Sequence, residues 1–443
     1  MKISKAGIDR LGNRIREENH SLSDETLNNL QDYRTSHQDS LSSVFTILCS
    51  YIRKIHPTSI VTYRIKRFES IIGKLIRYPE MRFSRMWDIG GCRFIVRNDQ
   101  HVYKIKSLIE DDDRISIVKE YDYIKQPQKD GYRSLHLFIK CNDNDRIIEV
   151  QIRNLTDHNW ATLVEITDLL YDSKIKELGD NKDLVRFHFL LSRTSELTIV
   201  EKKEVAALLK RYGYFQRLSE VFSRNYLKVR QQWFLIENLK NHRYFLIETK
   251  KDAVPKIYSF KSSKEAEKEY LNLYKNTRNI NIVLTHLPNP SYNQISIAYS
   301  NYILTFHSFL DECYELLESL ITEALETGNY FDYIRNYSLY NSLLYENISN
   351  FMYEIREMTT YSESKDSKLR KKHRLKEKEW TRDIQKHANK SSERSKRLSK
   401  KFQKSMPNSA FRRFVIKAIS TSITRKYKKK INKELNITFA KNP

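Results

Sequence analysis

The apolar residues of the chain first follow a helical period and then change to the short runs typical of strands. In residues 24–55 they recur on one helical face: Leu41, Val44, Phe45, Leu48 and Ile52. Four β-rich runs follow, at 90–97, 115–124, 132–140 and 146–153, with a predicted helix at 99–110 between the first two. This alternation predicts an α/β (α+β) domain with one mixed sheet that the helices flank.

The pattern then becomes helical from residue 158 to about residue 240. A second, smaller group of β-rich runs lies at 243–248, 254–260, 279–285 and 294–300, around a helix from Ser263 to about Lys275. We therefore expect six regions along the chain. They are N-terminal helices (1–55), the main α/β domain (56–175), a helical extension (176–242), a small α/β accessory module (243–310), further helices (311–360) and a basic helical or partly disordered tail (361–443).

Composition narrows the class of protein. The 443-residue chain contains no run of about 18 apolar residues and no signal-peptide core near residue 1, so we expect a cytoplasmic protein without a transmembrane segment. The cysteines Cys49, Cys92, Cys141 and Cys313 have no CxxC spacing, which fits neither a zinc site nor a disulfide framework. Reduced, mostly buried thiols are expected.

The positive charge is concentrated in the tail. Residues 361–443 contain 27 Lys or Arg and 7 Asp or Glu, a net +20 of the chain's +24. Residues 411–435 combine basic residues with an apolar stripe at helical spacing: Phe411, Val415, Ile419, Ile423, Tyr427 and Ile431. This predicts a basic amphipathic helix, whose role is left open between contact with RNA, association with a membrane surface, capture by an acidic partner, and packing with a solvated basic face.

Residues 64–74 form the first of several polar clusters in the α/β domain. At helical spacing Lys66, Ser70 and Lys74 share one face, with Arg64 just before them. Three cations and a hydroxyl so placed can hold a triphosphate. The alternative is a solvated basic helix.

Two acidic residues lie at the edges of predicted strands. Asp88 precedes a glycine pair and a strand, and alternation places Glu149, Gln151 and Arg153 on one face of another strand. Two carboxylates from neighbouring strands can hold Mg²⁺ against a polyphosphate. Each acid alone is better explained as an ordinary ion-pair partner, and the cationic clusters around the pair are what favour the metal site. Tyr132 follows Gly131 at a turn and can stack on a base or simply cover the sheet.

Six motifs in this order resemble the synthetase domain of the RelA/SpoT alarmone synthetases, particularly the small single-domain members. The motifs are R-x-K-x₃-S-x₃-K, D-I-x-G-x-R, D-Y-I-K, G-Y-R-S-x-H, E-V-Q-I-R and H-x-W-A, and they cover roughly residues 55–175. The resemblance implies a nucleotidyltransferase-like fold. It also implies a Mg²⁺-dependent enzyme that transfers the β,γ-diphosphate of ATP to a ribose 3′-hydroxyl.

The resemblance also implies roles for individual residues. By this resemblance, the residues that bind the ATP phosphates are Arg64, Lys66, Ser70, Lys74 and Arg93. Asp88 and Glu149 are the expected Mg²⁺ ligands and catalytic residues, with Glu149 as the base. The acceptor is assigned to Tyr132, which would stack on its base, together with Lys125, His136, Gln151 and Arg153.

The identity of the acceptor stays open. GDP or GTP would give ppGpp or pppGpp, as in a GTP diphosphokinase, whereas toxic relatives modify the 3′ end of tRNA and block translation. A catalytically inactive RNA-binding or regulatory protein is a further alternative. Two departures from the family pattern bear on the acceptor, namely Asn154 in place of the usual threonine and the sequence QPQKD after Lys125.

Three further expectations concern the rest of the protein. The sequence contains no HDxxED motif, so we expect a synthetase without a hydrolase domain. By resemblance a homo-oligomer is expected to be accessible to the protein. The toxic relatives raise the prospect of an antitoxin or another regulatory partner.

Overall fold

The computed structural model describes residues 4–19, 21–142, 145–171, 173, 175, 181–236, 239–249, 255–276, 281–299, 307–362 and 367–439. The chain divides into two compact units, Met1–Ala161 with Ile236–Tyr302, and Thr162–Leu235 with Ile303–Pro443. Part of the predicted helical extension, residues 176–180, lies outside the described residues. Among the described helices, none is both long enough and apolar enough to cross a membrane.

The first unit is built on a sheet of eight strands in the order β3-β4-β5-β2-β1-β8-β6-β7. Its strands are β1 (Ile60–Ile65), β2 (Gly90–Val96), β3 (Ile115–Asp122), β4 (Leu135–Cys141), β5 (Ile147–Asn154), β6 (Tyr244–Thr249), β7 (Lys256–Phe260) and β8 (Asn281–His286). The β2–β5 pair is parallel and the other pairs are antiparallel. The predicted fold class, a mixed sheet flanked by helices, is therefore confirmed.

Helices surround this sheet. They are α1 (Lys5–Glu18), α2 (Asp24–Thr35), α3 (Gln38–Ile55), α4 (Phe68–Arg77), α5 (Asp99–Glu110), α6 (Leu155–Tyr171), α10 (Ser263–Asn276) and α11 (Tyr292–Ala298), with α6 continuing into the second unit. The face predicted for residues 24–55 is the buried face of α3, because Leu41, Val44, Phe45, Leu48 and Ile52 are all at most 1% exposed. The helix predicted at 99–110 matches α5.

Alternation along the strands separates a packed face from a polar face. Ile148, Val150 and Ile152 of β5 are fully buried in the core, whereas Glu149 and Gln151 point to the other face. Gly90 leaves room for the side chain of Ile148 on β5, because a Cβ at position 90 would come within 2.9 Å of Ile148 Cδ1. One face of the sheet therefore packs in the core, and the opposite face carries the polar side chains of the candidate site.

The accessory module predicted for residues 243–310 is not separate. β8 pairs with β1, from Val61 opposite His286 to Tyr63 opposite Leu284, so β6, β7 and β8 extend the main sheet. The Thr285 hydroxyl also donates to the Val61 carbonyl at 3.0 Å. Pairing between strands more than 200 residues apart leaves no local sequence pattern, which is why the prediction failed.

Two local predictions also differ from the structure. In the run at 294–300, which was predicted as a strand, residues 294–298 belong instead to helix α11, and residue 300 lies outside the described residues. The Ser291 side chain accepts from the backbone of Gln294, and the buried Tyr292, Ile295 and Ala298 recur every three residues. Residues 64–74 do not form one helix. Arg64 lies near the end of strand β1, Lys66 lies between β1 and α4, and Ser70 and Lys74 lie on α4.

The second unit is helical in its described part. Its further helices are α7 (Lys182–Leu191), α8 (Ile199–Arg211), α9 (Tyr214–Leu235), α12 (His307–Glu326), α13 (Tyr330–Ser362), α14 (Ser367–Lys404) and α15 (Ala410–Phe439). Its core contains the fully buried Trp233, Tyr214, Tyr314 and Tyr333. The basic tail is thus largely helical, as α14 and α15.

Candidate active site

A carboxylate between two lysines forms the centre of the polar site. Asp88 lies in the turn before β2, and its Oδ2 is 2.7 Å from Lys66 Nζ and 2.9 Å from Lys74 Nζ. Burial raises the pKa of Asp88, but the two ammonium groups outweigh burial and lower it to about 2. The cluster therefore contains an ionised carboxylate and two cations, with a net positive charge that suits an anionic ligand.

The backbone brings these three groups together. Register places Ile65 of β1 opposite Gly90 of β2, and the Lys66 amide donates to the Ile89 carbonyl at 2.7 Å. Lys66 thus lies beside the Asp88 turn. Lys74 reaches the same carboxylate from α4, one helical turn after Ser70.

Glu149 is held by a second network on the same side of the sheet. His136 Nδ1 is 2.9 Å from Glu149 Oε1, and Gln151 Nε2 donates to Glu149 Oε2 at 3.2 Å. On the other side of the imidazole, the Tyr132 hydroxyl is 2.7 Å from His136 Nε2 and accepts a hydrogen bond from Arg153. The carboxylate is therefore oriented by partners that are themselves hydrogen-bonded.

Opposing effects determine the protonation of this network. Burial raises the pKa of Glu149, but its hydrogen bond and charge interaction with His136 lower it, and the net shift is downward. Burial lowers the pKa of His136, whereas Tyr132 and Glu149 raise it, and the net shift is upward. Glu149 is consequently ionised at neutral pH, and Nδ1 of His136 carries the proton that faces it.

Cross-strand register aligns the predicted residues in two adjacent rows. One row runs through Arg64, Gly91, Glu149 and Phe138, and the next runs through Thr62, Arg93, Gln151 and His136. Because Gly91 has no side chain, the first row is open between Arg64 and Glu149, which are two strand spacings, or about 10 Å, apart. A Cβ at Gly91 would stand 4.0 Å from Glu149 Oε2.

The two carboxylates belong to one site. The charge of Asp88 raises the pKa of Glu149 and that of Lys66 lowers it, so the clusters interact electrostatically. Oδ1 of Asp88 is buried and has no hydrogen-bond partner among the described residues. A buried carboxylate oxygen that lacks a donor is a suitable ligand for a hard cation.

The predicted residues Tyr132, Lys125 and Arg64 differ from one another in their accessibility to a ligand. Tyr132 is only 8% exposed, and the Arg153 guanidinium lies 4.9 Å from its ring centroid, so little of the ring is open to a base. Lys125 is in an exposed turn, with Nζ 3.8 Å from Asp122 Oδ2 and 5.2 Å from the Tyr103 ring. Arg64 is exposed at the end of β1 and is available to a ligand.

The Asn154 departure from the family pattern has a structural explanation. Asn154 Oδ1 accepts from the Asp157 amide at 2.7 Å at the start of α6, and its Nδ2 donates to Asp157 Oδ2 at 2.8 Å and to Asp99. Arg133 pairs with the same two acids, 3.7 Å from Asp99 and 3.3 Å from Asp157. Asn154 therefore joins the starts of α5 and α6 rather than facing the Glu149 network.

One residue that the motifs did not indicate supports the lysine cluster. Arg34 of α2 is 2% exposed, and its Nε donates to the Lys66 carbonyl at 2.9 Å. Its guanidinium lies between the rings of Phe68 and Tyr274, 4.0 and 4.5 Å from their centroids. The motifs could not indicate Arg34, because it lies 32 residues before its hydrogen-bond partner Lys66.

Part of the chain is similar to a known protein family. Residues 63–176 match the family model described as "Region found in RelA / SpoT proteins". The chain is 34% identical over 140 residues to GTP pyrophosphokinase YwaC of Bacillus subtilis, covering 28% of this chain and 66% of YwaC. It is 27% identical over 176 residues to GTP pyrophosphokinase YjbM of the same organism, covering 38% of this chain and 78% of YjbM.

Part of the chain is also similar to a solved structure. The small alarmone synthetase 2 from Bacillus subtilis is 25% identical, with 41% of this chain and 96% of that chain covered and a TM-score of 0.32. The matched family region contains every residue that the sequence assigned to the site. The predicted resemblance is thereby confirmed: residues 63–176 of this chain form a RelA/SpoT-type region.

Proposed function

We propose that the chain transfers the β,γ-diphosphate of ATP to the ribose 3′-hydroxyl of GDP or GTP, forming ppGpp or pppGpp. Both relatives described above are named GTP pyrophosphokinases. The observation that carries the proposal is the presence, on one side of the sheet, of the Lys66–Asp88–Lys74 cluster and the His136–Glu149 pair. Transfer of a charged phosphoryl group requires such fixed cations next to an ionised carboxylate.

The cationic residues would bind the triphosphate. Lys66 and Lys74 already face one anionic group, so a phosphate chain beside Asp88 would meet preorganised ammonium groups. Arg64 and Arg93 lie in adjacent rows of the same face, and Ser70 precedes Lys74 by one turn. These positions support their proposed contacts with the phosphates.

Asp88 and Glu149 would hold Mg²⁺. The unpartnered Oδ1 of Asp88 fits this role, and Mg²⁺ is commonly bound by one or two carboxylates together with substrate phosphates. When bound, the ion would neutralise charge on the phosphate oxygens.

In the proposed reaction the acceptor oxygen forms a bond to the β-phosphorus of ATP. The bond from the β-phosphorus to the oxygen that bridges it to the α-phosphate breaks, and AMP leaves. The hydroxyl proton passes to Glu149, which is ionised because His136 lowers its pKa. His136, held by Tyr132, keeps that carboxylate in one orientation.

Recognition of the acceptor is proposed for residues on the β4–β5 side of the face. His136, Gln151, Arg153 and Tyr132 form one continuous hydrogen-bonded network there, while Lys125 lies in the exposed turn after β3. The 3′ end of tRNA is the alternative acceptor, and it needs cationic surface outside this site. An inactive RNA-binding protein remains the alternative of another class.

A transfer assay tests the proposal. ATP labelled on the β-phosphate is incubated with GDP, GTP and bulk tRNA in separate reactions, with Mg²⁺ or with a chelator. We expect label in the guanine nucleotide and formation of AMP only when both acceptor and Mg²⁺ are present. Label at the tRNA 3′ end would instead identify tRNA, and not GDP or GTP, as the acceptor.

Matched variants give the assay its controls. Glu149→Gln removes the proposed base while keeping the shape of the side chain, and Asp145→Asn removes a carboxylate that is 73% exposed and contacts Lys140. We expect loss of transfer in the first variant and wild-type rates in the second. Absence of transfer to any acceptor by the folded wild-type protein would contradict the proposed activity.

A further inference from the structure

The last helix, α15, carries an unusual concentration of exposed cations. Between residues 410 and 439 it contains nine Lys or Arg and one acidic residue, Glu434. All nine cations are exposed: Arg412, Arg413, Lys417, Arg425, Lys426, Lys428, Lys429, Lys430 and Lys433. By its rise per residue, the helix spreads them over about 32 Å.

Helix α15 packs on α13 mainly through apolar and hydroxyl side chains. Ile416 is fully buried, and the Tyr333 hydroxyl is 2.6 Å from Ser420 Oγ. Further along, the Tyr337 hydroxyl is 3.1 Å from Thr424 Oγ1. Lys430 Nζ lies 5.2 Å from the Tyr345 ring of α13, but it and the other eight cations stay exposed.

Some cations of the other basic helix, α14, form ion pairs with carboxylates of α12. Its Arg397 and Lys401 lie 3.2 and 3.0 Å from Oε2 of the fully buried Glu318 on α12. Two more cations of α14, Lys390 and Arg394, pair with Asp311. By contrast, among the described residues no carboxylate lies within ion-pair distance of any α15 cation.

Two exposed aromatic residues lie at the start of this surface. Phe411 and Phe414 are 75% and 70% exposed and enclose Arg412 and Arg413 in sequence. The predicted apolar stripe places Phe411 on the packed side, but a four-residue repeat drifts by about 40° per step on an α-helix. Over five steps the stripe turns by about 200°, so Phe411 faces away from the side occupied by Ile431.

We propose that the outer face of α15 is a nucleic-acid-binding surface that contacts the phosphate backbone of RNA, with Phe411 and Phe414 stacking on unpaired bases. Nine exposed cations without a carboxylate partner among the described residues suit a polyanion, and exposed aromatic rings are what single-stranded bases stack on. This inference concerns the helical unit and does not depend on the proposed transfer reaction.

A membrane surface fits the same helix less well. Interfacial helices bury a continuous apolar face between lipid headgroups. In α15 the apolar side chains other than the two phenylalanines form no exposed face: Val415, Ile416, Ile419, Ile423, Tyr427 and Ile431 are all buried or half-buried. Cations and two rings at one end are what remains exposed, and this combination favours RNA.

The test is binding of a fluorescein-labelled RNA hairpin with a single-stranded 3′ overhang, followed by anisotropy with the full chain in the absence of ATP. The variant Arg425→Gln/Lys428→Gln/Lys429→Gln removes three outer charges. We expect its affinity to fall about tenfold or more, and the slope of log K against log salt to become shallower by about 2 to 3 between about 50 and 200 mM salt. Circular dichroism checks that the helical content is unchanged.

A matched control removes the same net charge elsewhere. Lys256→Gln/Lys264→Gln/Lys268→Gln changes three exposed lysines of the first unit, and we expect less than about a twofold effect on affinity. Phe411→Ser/Phe414→Ser should weaken binding of the overhang hairpin several-fold, leaving a blunt hairpin and the salt slope unaffected. Equal losses in the α15 and control triple variants would overturn the proposal.

A second probe separates RNA from membrane. Vesicles of phosphatidylcholine with about 30% phosphatidylserine are offered to the same proteins in a flotation assay. We expect no co-flotation above that seen with phosphatidylcholine alone. Binding to the anionic vesicles without binding to the hairpin would assign the surface to a membrane and reject the RNA proposal.

Discussion

His136 Nδ1 lies 2.9 Å from Oε1 of Glu149, and the two side chains come from neighbouring antiparallel strands. In the register, His136 is directly opposite Gln151 and Phe138 is opposite Glu149, so the imidazole reaches the carboxylate diagonally. This contact sets the orientation and the charge of the proposed base. The Glu149 network is consequently sensitive to pH and to the identity of residue 136.

We expect His136→Gln to reduce transfer by about 10²-fold, because Gln can donate one hydrogen bond to Glu149 but cannot carry a positive charge. Steady-state kinetics across pH should show that the alkaline limb of the wild-type profile, which reports the raised pKa of His136, is absent in the variant. A variant that retains this limb would assign it to another group.

The same pair predicts the pH dependence of stability. The pKa of His136 is higher in the folded protein than its ordinary value. The His136–Glu149 contact therefore adds to the free energy of unfolding, and this contribution is fully present below the unfolded pKa of about 6.5. It is lost as the pH rises through the raised folded pKa. Urea unfolding of wild type and His136→Gln should show their difference in free energy of unfolding shrinking over that range.

Asp88→Asn should abolish measurable transfer, a loss of about 10³-fold or more, since it removes the charge that holds Lys66 and Lys74 in place. We also expect a loss of about 1 to 3 kcal/mol in the free energy of unfolding at neutral pH, because two half-buried ammonium groups would face each other without a counter-ion. Transfer assays and urea unfolding measure both effects, with Asp145→Asn as the control. Near-normal transfer by Asp88→Asn would contradict its assignment.

Asn154→Ala should destabilise the protein by about 1 kcal/mol, because the first turn of α6 loses the side chain that accepts from the Asp157 amide. Asn154→Thr, which introduces the family's usual residue, keeps an oxygen for that amide but loses the Nδ2 bond to Asp157. We expect it to be intermediate in thermal unfolding and to leave the preference between GDP and GTP unchanged. A change of acceptor with Asn154→Thr would return this residue to the acceptor site.

Local pattern and motif order were sufficient for the centre of the sheet. Strict alternation in β4 and β5 identifies the face of His136 and Glu149, and the helical period of residues 24–55 identifies the packed face of α3. The sequence could not show that β8 pairs with β1, since the pairing of distant strands depends on the whole core. For the same reason the motifs did not reveal Arg34, whose partners Lys66 and Tyr274 come from distant segments.

Arg34 provides a test of how the distant segments support the lysine cluster. It donates to the Lys66 carbonyl and lies between Phe68 and Tyr274, the latter from α10. Arg34→Met should keep much of the packing but lose the hydrogen bond and the cation. We expect KM for ATP to rise about tenfold with a smaller fall in kcat, because Lys66 would be less well positioned for binding phosphate.

Two further variants distinguish positioning from a general loss of stability. Tyr274→Phe keeps the ring beside Arg34 and removes a buried hydroxyl that has no hydrogen-bond partner among the described residues, so both KM and stability should stay near wild type. Arg34→Lys retains the charge without the planar group and should restore only part of the ATP affinity. If Arg34→Met instead lowered thermal stability while leaving KM for ATP unchanged, Arg34 would support the core alone and not the position of Lys66.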